Sequence, residues 1–150
     1  TDVNLTDLVK NIELGLDKLI KEKNGKVIYN DLPEIKSNTS ILYVALKNLI
    51  QNGLQFNQSE SPKIELSHTE TATSTILKIK DNGIGIDPKY HTKIFEMFKR
   101  LHHRDKFDTT TGLGLSITKT LVEKIDGEIA VESEEGNGAT FIITLPKILN

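Results

Sequence analysis

A nucleotide could be held by two glycine clusters, one carboxylate and a pair of asparagines in this chain. The carboxylate opens the run Asp81-Asn82-Gly83-Ile84-Gly85-Ile86. The second cluster is Thr111-Gly112-Leu113-Gly114-Leu115. Glycine lets the backbone approach a ligand closely and leaves amide N–H groups accessible. A helix that opens with free N–H groups is a ready anion site. The first cluster follows a strand that ends in Asp81, and the second opens a helix. That combination suggests a base read by a carboxylate and phosphates held by backbone amides. Either cluster alone is explained by a tight turn. Neither of the two commonest nucleotide signatures is present, G-x-x-x-x-G-K-[ST] or a helix-opening G-x-G-x-x-G after an N-terminal strand.

Asn48 and Asn52 stand four residues apart in a helical pattern expected from Ser40 to Phe56. Leu42, Leu46, Leu49 and Gly53 form its core stripe, and Tyr43, Lys47 and Gln51 its wet face. The two amides stack on the flank between these faces. By helix statistics they are a solvated or bonded surface pair. The functional alternative is a pair of side-chain oxygens facing a cavity, suited to a hard cation such as Mg²⁺. Asp81 has two readings as well. It shares strand parity with Leu77 and Ile79, so it points inward at the strand end. It is either a turn aspartate satisfied by backbone or the acceptor for an adenine amino group.

The elements that position these residues follow from periodicity. Leu5, Leu8, Val9, Ile12, Leu16, Leu19 and Ile20 recur at helical spacing, with Asn4 as the cap and Asn24-Gly25 as the stop. A short strand is expected at Lys26–Tyr29, and loops around Pro33 and Ser37–Ser40. Further strands are expected near Lys63–His68 and Ser74–Asp81. Asp87-Pro88 opens a helix to about Arg100 with Ile94, Phe95 and Phe98 as its apolar face. Leu101 to Thr110 shows no periodicity and reads as a lid or disordered loop. Leu113 to Ile125 reads as a helix with Ile117, Leu121, Val122 and Ile125 inward. Strands near Glu128–Ser133 and Thr140–Leu145 pair across Gly136-Asn137-Gly138. Helices gathered with antiparallel strands give a two-layer α/β sandwich.

Composition bounds the class. The 150 residues are one domain's worth, with 37% hydrophobic and 27% charged residues. A formal net charge of −2 gives no basic surface for nucleic acid. Cysteine is absent, which fits a reducing compartment. No apolar run approaches the ~20 residues of a membrane span, and no signal peptide is read. The chain is expected to be a fragment of something longer.

The motifs together resemble the catalytic and ATP-binding domain of sensor histidine kinases, in the superfamily shared with gyrase, Hsp90 and MutL ATPases. Asn48-Leu49-Ile50-Gln51-Asn52-Gly53 is similar to the N-box, and Asp81–Ile86 to the first G-box. Ile94-Phe95-Glu96-Met97-Phe98-Lys99-Arg100 resembles the F-box. Thr111–Leu115 resembles the second G-box, and Gly136-Asn137-Gly138-Ala139-Thr140-Phe141 the last glycine box. The run from Phe95 to His102 most resembles phytochrome-like and PAS-linked sensor kinases.

This resemblance implies an α+β two-layer sandwich, the Bergerat ATP-binding fold. It has a mixed, mostly antiparallel sheet with about three helices on one face. It implies ATP and Mg²⁺ as ligands. Asn52 would ligate Mg²⁺, and Asn48 would support phosphate or metal. Asp81 would bond the adenine amino group, with Thr140 beside it through water. Gly83 and Gly85 would shape the base pocket, and Phe56 and Ile86 join the binding set. Arg100 would reach the terminal phosphate. Thr111, Gly112, Leu113, Gly114 and Leu115 would form the phosphate loop, and the lid from Leu101 to Thr111 would close over ATP.

The hydrolysing branch carries a glutamate where this chain has Asn48, which cannot act as a base. Transfer to another nucleophile is favoured over hydrolysis. Two positions depart from the family: Gln55 replaces a basic residue, and Thr110 replaces a glycine. They support one alternative, a non-catalytic pseudokinase-like interaction module; a second, an ATP-hydrolysing relative, is disfavoured by Asn48. None of His68, His91, His102 or His103 sits in an acceptor-histidine context. The expected partners are therefore a dimerisation and phosphoacceptor domain of the same protein and a response-regulator receiver domain, with no nucleic acid. The parent is expected to be a homodimer and the isolated domain a monomer on the cytoplasmic side. Whether the parent is attached to a membrane is left open.

Overall fold

The structure is a computed structural model, and it describes residues 1–55, 57–83, 109–133 and 138–147. For residues 109–114 it describes the backbone alone. The helix expected at 87–100 and most of the expected lid lie outside the described residues.

The chain runs β1 (Asp2–Asn4), α1 (Leu5–Gly15), α2 (Asp17–Lys23), β2 (Lys26–Tyr29), β3 (Glu34–Lys36) and α3 (Thr39–Gln55). It continues through β4 (Lys63–Glu70), β5 (Ser74–Asp81), α4 (Thr109–Lys124), β6 (Glu128–Ser133) and β7 (Ala139–Pro146). The main sheet has five strands in the order β2-β4-β5-β7-β6. β2 and β4 are parallel, and the other neighbours are antiparallel. The helices supply one layer and the mixed sheet the other. This is the expected α/β sandwich.

Alternation in the two central strands builds the floor of the core. In β5, Leu77 and Ile79 are buried while Lys78 and Lys80 are exposed. In β7, Ala139, Phe141, Ile143 and Leu145 are buried. Register sets Leu77 against Ile143 and Ile79 against Phe141, so both apolar rows face the same layer. α3 closes that layer with Leu42, Leu46, Leu49, Ile50 and Leu54, each almost completely buried. Burying one such side chain stabilises the fold by about 1.5–3 kcal/mol.

Four features differ from expectation. The first helix breaks at Leu16 (φ −107, ψ 10), so α1 and α2 are separate and the described residues hold four helices. Glycine at position 15 weakens the helix there, and the apolar stripe continues across the break, which hides it from periodicity. β1 and β3 form a two-stranded antiparallel ladder that the sequence reading omits. Strands of three residues are too short to show alternation. α4 starts at Thr109, inside the segment read as a lid. Its polar opening offers no stripe to detect. Finally, Ile117 is 40% exposed, whereas Ser116 and Thr118 are buried with Leu115 and Val122. The helix is rotated so that Thr118, not Ile117, meets α3.

Other local signals hold. Asn4 caps α1 by accepting from the Asp7 N–H at 3.1 Å. Asn24 takes the left-handed conformation (φ 56) and ends α2, with the Gly25 N–H bonded to the Ile20 carbonyl. Tyr29 ties the edge strand β2 to α1 by donating to Glu13. Burial, and then the neighbouring Glu13 carboxylate, push the Tyr29 hydroxyl up to about 12.

Candidate functional site

Helix α3 delivers two of the expected residues to one place. Asn48 and Asn52 lie one turn apart on its flank, both half-buried. The Asn48 amide donates to the hydroxyl of Thr118 on α4 at 3.3 Å. Thr118 is fully buried, so this bond joins the two helices inside the molecule. Among the described residues, the Asn52 side chain has no hydrogen-bond partner. It is a half-buried amide whose oxygen is open to a ligand.

Gly53 sets how closely α3 approaches the end of β5. A methyl group there would lie 2.5 Å from Ile64 Cδ1, 3.1 Å from Asp81 Cβ and 3.3 Å from Asp81 Oδ2. The helix backbone at Gly53 thus packs against the Asp81 side chain with no room for a methyl group between them. Gly53→Val would force α3 and β5 apart. Overpacking of this kind costs about 1–3 kcal/mol, and here it also displaces Asp81. The expected result is a lower melting temperature together with weaker ATP binding by calorimetry. Unchanged affinity would show that α3 can recede without moving the carboxylate.

Asp81 is inward, as its parity requires. Its Oδ1 accepts two backbone N–H groups, Gly83 at 2.9 Å and Ala139 at 3.1 Å. Among the described residues no donor reaches Oδ2. Burial pushes the carboxyl above its usual range, and the Gly83 and Ala139 amides partly oppose that shift. One oxygen is therefore fixed by the fold and the other is free to accept. Gly138 (φ 80) is the turn that allows this. Its missing side chain lets the start of β7 pass directly over the Asp81 carbonyl.

Thr140 is placed differently from expectation. It pairs with Lys80 on one side and Glu132 on the other, so it shares their face of the sheet. That face is opposite to Ile79 and Phe141, and so to the Asp81 side chain. Lys80, Glu132 and Thr140 line an open hollow of about 420 Å³ together with Asp81, Ser133, Gly138 and Ala139. The residue beside Asp81 on the inner face is Ala139, which offers only its amide. One position of register decides the matter, because side chains alternate.

Leu115 is buried in the core one turn from Thr118. Thr111, Gly112, Leu113 and Gly114 fall within the first turns of α4. With the helix beginning at Thr109, the N–H groups of residues 109–111 are left open by the helix, and those from Gly112 to Leu115 enter the helical ladder. Gln55 is the exposed last residue of α3. Phe56, Gly85, Ile86 and Arg100 lie outside the described residues. Among the described residues no three His, Cys, Asp or Glu side chains cluster as a metal site. Mg²⁺ keeps several waters and binds through one or two protein oxygens plus phosphates, so a single Asn52 oxygen fits it.

Asn57 and Asn82 are absent from the sequence-based set. Asn82 Oδ1 accepts from Asn57 Nδ2 at 2.7 Å and from the Lys63 N–H at 2.8 Å. The Asp-Asn-Gly run signals a turn whose asparagine bonds backbone, and that signal was available. The partner Asn57 was not, because it lies 25 residues away.

Residues 37–149 match the model of the histidine kinase-, DNA gyrase B- and HSP90-like ATPases. The chain is 37% identical over 145 residues to cyanobacterial phytochrome A of Nostoc sp., covering 95% of this chain and 19% of that protein. It is 34% identical to the phytochrome-like protein Cph1 of Synechocystis sp., covering 97% of this chain and 19% of that one. The chain thus spans about a fifth of the length of these curated relatives. Among solved structures, the catalytic domain of histidine kinase ThkA superposes with a TM-score of 0.81 at 26% identity, covering 98% of this chain and 95% of that one. Together with the fold and the Asp81 and Asn52 geometry, these likenesses settle kinship: the chain belongs to the histidine kinase-, DNA gyrase B- and HSP90-like ATPase family, among the catalytic domains of sensor histidine kinases.

Proposed function

We propose that these 150 residues act as one catalytic module, binding MgATP and donating its γ-phosphate to a histidine on a separate dimerisation domain. The observation that carries this reading is the division of labour at Asp81. One oxygen is locked by backbone amides while the other, among the described residues, has no donor and faces Gly53, the residue after Asn52. The open oxygen accepts from the amino group of adenine. The half-buried Asn52 amide, one residue before Gly53, offers the oxygen that would ligate Mg²⁺. Bound Mg²⁺ supplies charge neutralisation at the phosphates. The chain's own residues orient the nucleotide and leave the chemistry to the incoming nucleophile.

Asn48 favours transfer over hydrolysis. Its amide is engaged with buried Thr118, and it has no carboxylate to activate water. The acceptor histidine comes from a dimerisation domain of the same protein, and the phosphate passes on to a response regulator. The ThkA kinase is known in complex with its response regulator TrrA, at a TM-score of 0.78 and 25% identity to this chain. Full-length ShkA, which shares the fold at a TM-score of 0.83, is known with AMPPNP. The intact protein would be a homodimer with this domain on the cytoplasmic side, where ATP is supplied.

Fusion to its own dimerisation domain should let the protein label that domain's histidine from radiolabelled ATP, with acid-labile product. The isolated domain should bind ATP, label itself negligibly and hydrolyse slowly. Saturable MgATP binding without histidine labelling in the fusion would overturn the kinase reading. Asn52→Ala should weaken MgATP binding by about tenfold, roughly 1.4 kcal/mol, and metal-free ATP binding much less. An equal loss in chelator would remove the metal role.

A further inference from the structure

We propose that Asn82 and Asn57 are a positioning pair that aims the free oxygen of Asp81, and so sets the preference for adenine over guanine nucleotides. This rests on the reading of Asp81 as the base acceptor. Asn82 follows Asp81 directly and holds three separate groups. Its Oδ1 accepts from Asn57 Nδ2 and the Lys63 N–H, and its Nδ2 donates to the Ser61 carbonyl at 3.3 Å. Asn57 is only 6% exposed and comes two residues after α3 ends. Its own Oδ1 accepts the Ser59 N–H at 3.0 Å. The pair therefore ties the end of α3, which carries Asn52 and Gly53, to the end of β5, which carries Asp81.

The tie has directional consequences. Asp81 Oδ1 is pinned between the Gly83 and Ala139 amides, so Oδ2 can turn only if the backbone at 81–83 turns. Asn82 is the residue that prevents that turn. Removing its acceptor would strand the buried Asn57 amide, which is costly, and the loop would move to resatisfy it. A rotation of the Asp81–Gly83 backbone would swing Oδ2 off the line to an adenine amino group. Loss of that alignment costs adenine nucleotides specifically, because guanine presents a carbonyl there and gains nothing from the carboxylate.

The test compares calorimetric affinities for MgATP and MgGTP, melting temperatures, and the amide resonances of Gly83 and Ala139. The variants are Asn82→Ala, Asn57→Ala and a control, Asn24→Gly. The Asn24 side chain bonds the Glu60 carbonyl of the same loop at 3.4 Å and makes no bond to Asn82; glycine would keep the Asn24 carbonyl that accepts from Ser61, and the positive φ suits it. Asn57→Ala should narrow the ATP-to-GTP affinity ratio by about tenfold and move both resonances, while Asn24→Gly changes neither. Asn57→Ala decides the matter if Asn82→Ala does not fold. If melting temperatures fall but ratio and resonances stay, the pair is merely structural and the proposal is overturned. An equal change in Asn24→Gly overturns it as well, since the loop as a whole would then be responsible. A wild-type domain that binds neither nucleotide removes the base-reading role and this proposal with it. A wild type that prefers ATP, beside unresponsive asparagine variants, removes only this proposal.

Discussion

Asp81→Asn will remove adenine recognition while leaving the fold at least as stable at neutral pH. The two effects have one cause, the burial of a carboxylate with a single satisfied oxygen. In the variant, the amide oxygen must stay at the Oδ1 position to accept from Gly83 and Ala139. That places an NH₂ group where Oδ2 faced the ligand. The amino group of adenine then meets a donor instead of an acceptor. Flipping the amide would instead set its NH₂ against two backbone donors. Losing the bond and opposing two donors costs about 1–3 kcal/mol, so ATP affinity should fall on the order of 10- to 100-fold. Guanine nucleotides, which present a carbonyl there, should gain relative to ATP. Equal ATP affinity in variant and wild type would sink the base-reading role.

The stability half follows from linkage. Burial raises the Asp81 carboxyl above its ordinary 3.8, so the native state holds the proton more tightly than the unfolded chain. The stabilisation by protonation is complete below that ordinary value and is lost as pH rises through the raised one. At neutral pH the ionised, half-buried carboxylate therefore opposes folding, and the neutral amide does not. Without nucleotide, Asp81→Asn should melt at or above the wild-type temperature at pH 7. The gap should narrow as pH falls through the raised value. A variant clearly less stable at pH 7 would mean that the charge-assisted bonds from Gly83 and Ala139 outweigh desolvation.

Gly138→Ala should damage both fold and site, by a different route. The glycine has φ 80, which costs an L-residue roughly 1–3 kcal/mol. The added methyl would overlap the carbonyl oxygen of Asp81 and lie 3.1 Å from its carbonyl carbon and 3.3 Å from Asn82 Cα. These are backbone atoms of a central strand, so no side chain can swing away. Either β7 loses its first pairs with β5 or the Asp81 turn moves. We expect destabilisation of about 3 kcal/mol or more, from strain and overpacking combined. Thermal unfolding should shift down by on the order of 10 °C. The Ala139 N–H would leave Asp81 Oδ1, so ATP affinity should fall in whatever fraction remains folded. A melt within a degree or two of wild type would show that the β5–β7 end is slack.

The sequence by itself determined whatever depends on near neighbours. Leu77, Ile79 and Asp81 are two residues apart, so strand geometry alone turned the carboxylate inward. Asn48 and Asn52 are four apart, so helix geometry alone stacked them. Asn4 and Asn24 announced the helix ends they cap because capping is a short-range bond. The Gly136–Gly138 cluster marked the hairpin whose strands β6 and β7 do pair.

The tertiary structure decided what depends on how distant elements meet. Thr140 shares a short motif with Ala139, and only the β5–β7 register shows which of them stands beside Asp81. The buried face of α4 holds Leu115, Thr118 and Val122 and leaves Ile117 out, and Thr118 there meets Asn48 of α3, a partner 70 residues away. Gly53 reads as a gap in a helix until Ile64 and Asp81 are found where its side chain would be. Asn57 has no local pattern at all. Its role exists because the chain returns after two strands and sets Asn82 within 2.7 Å of it. Periodicity reports the direction of a side chain from its own element. The partner waiting there is set by packing between elements, and among the described residues that packing gives one oxygen of Asp81 two donors and the other none.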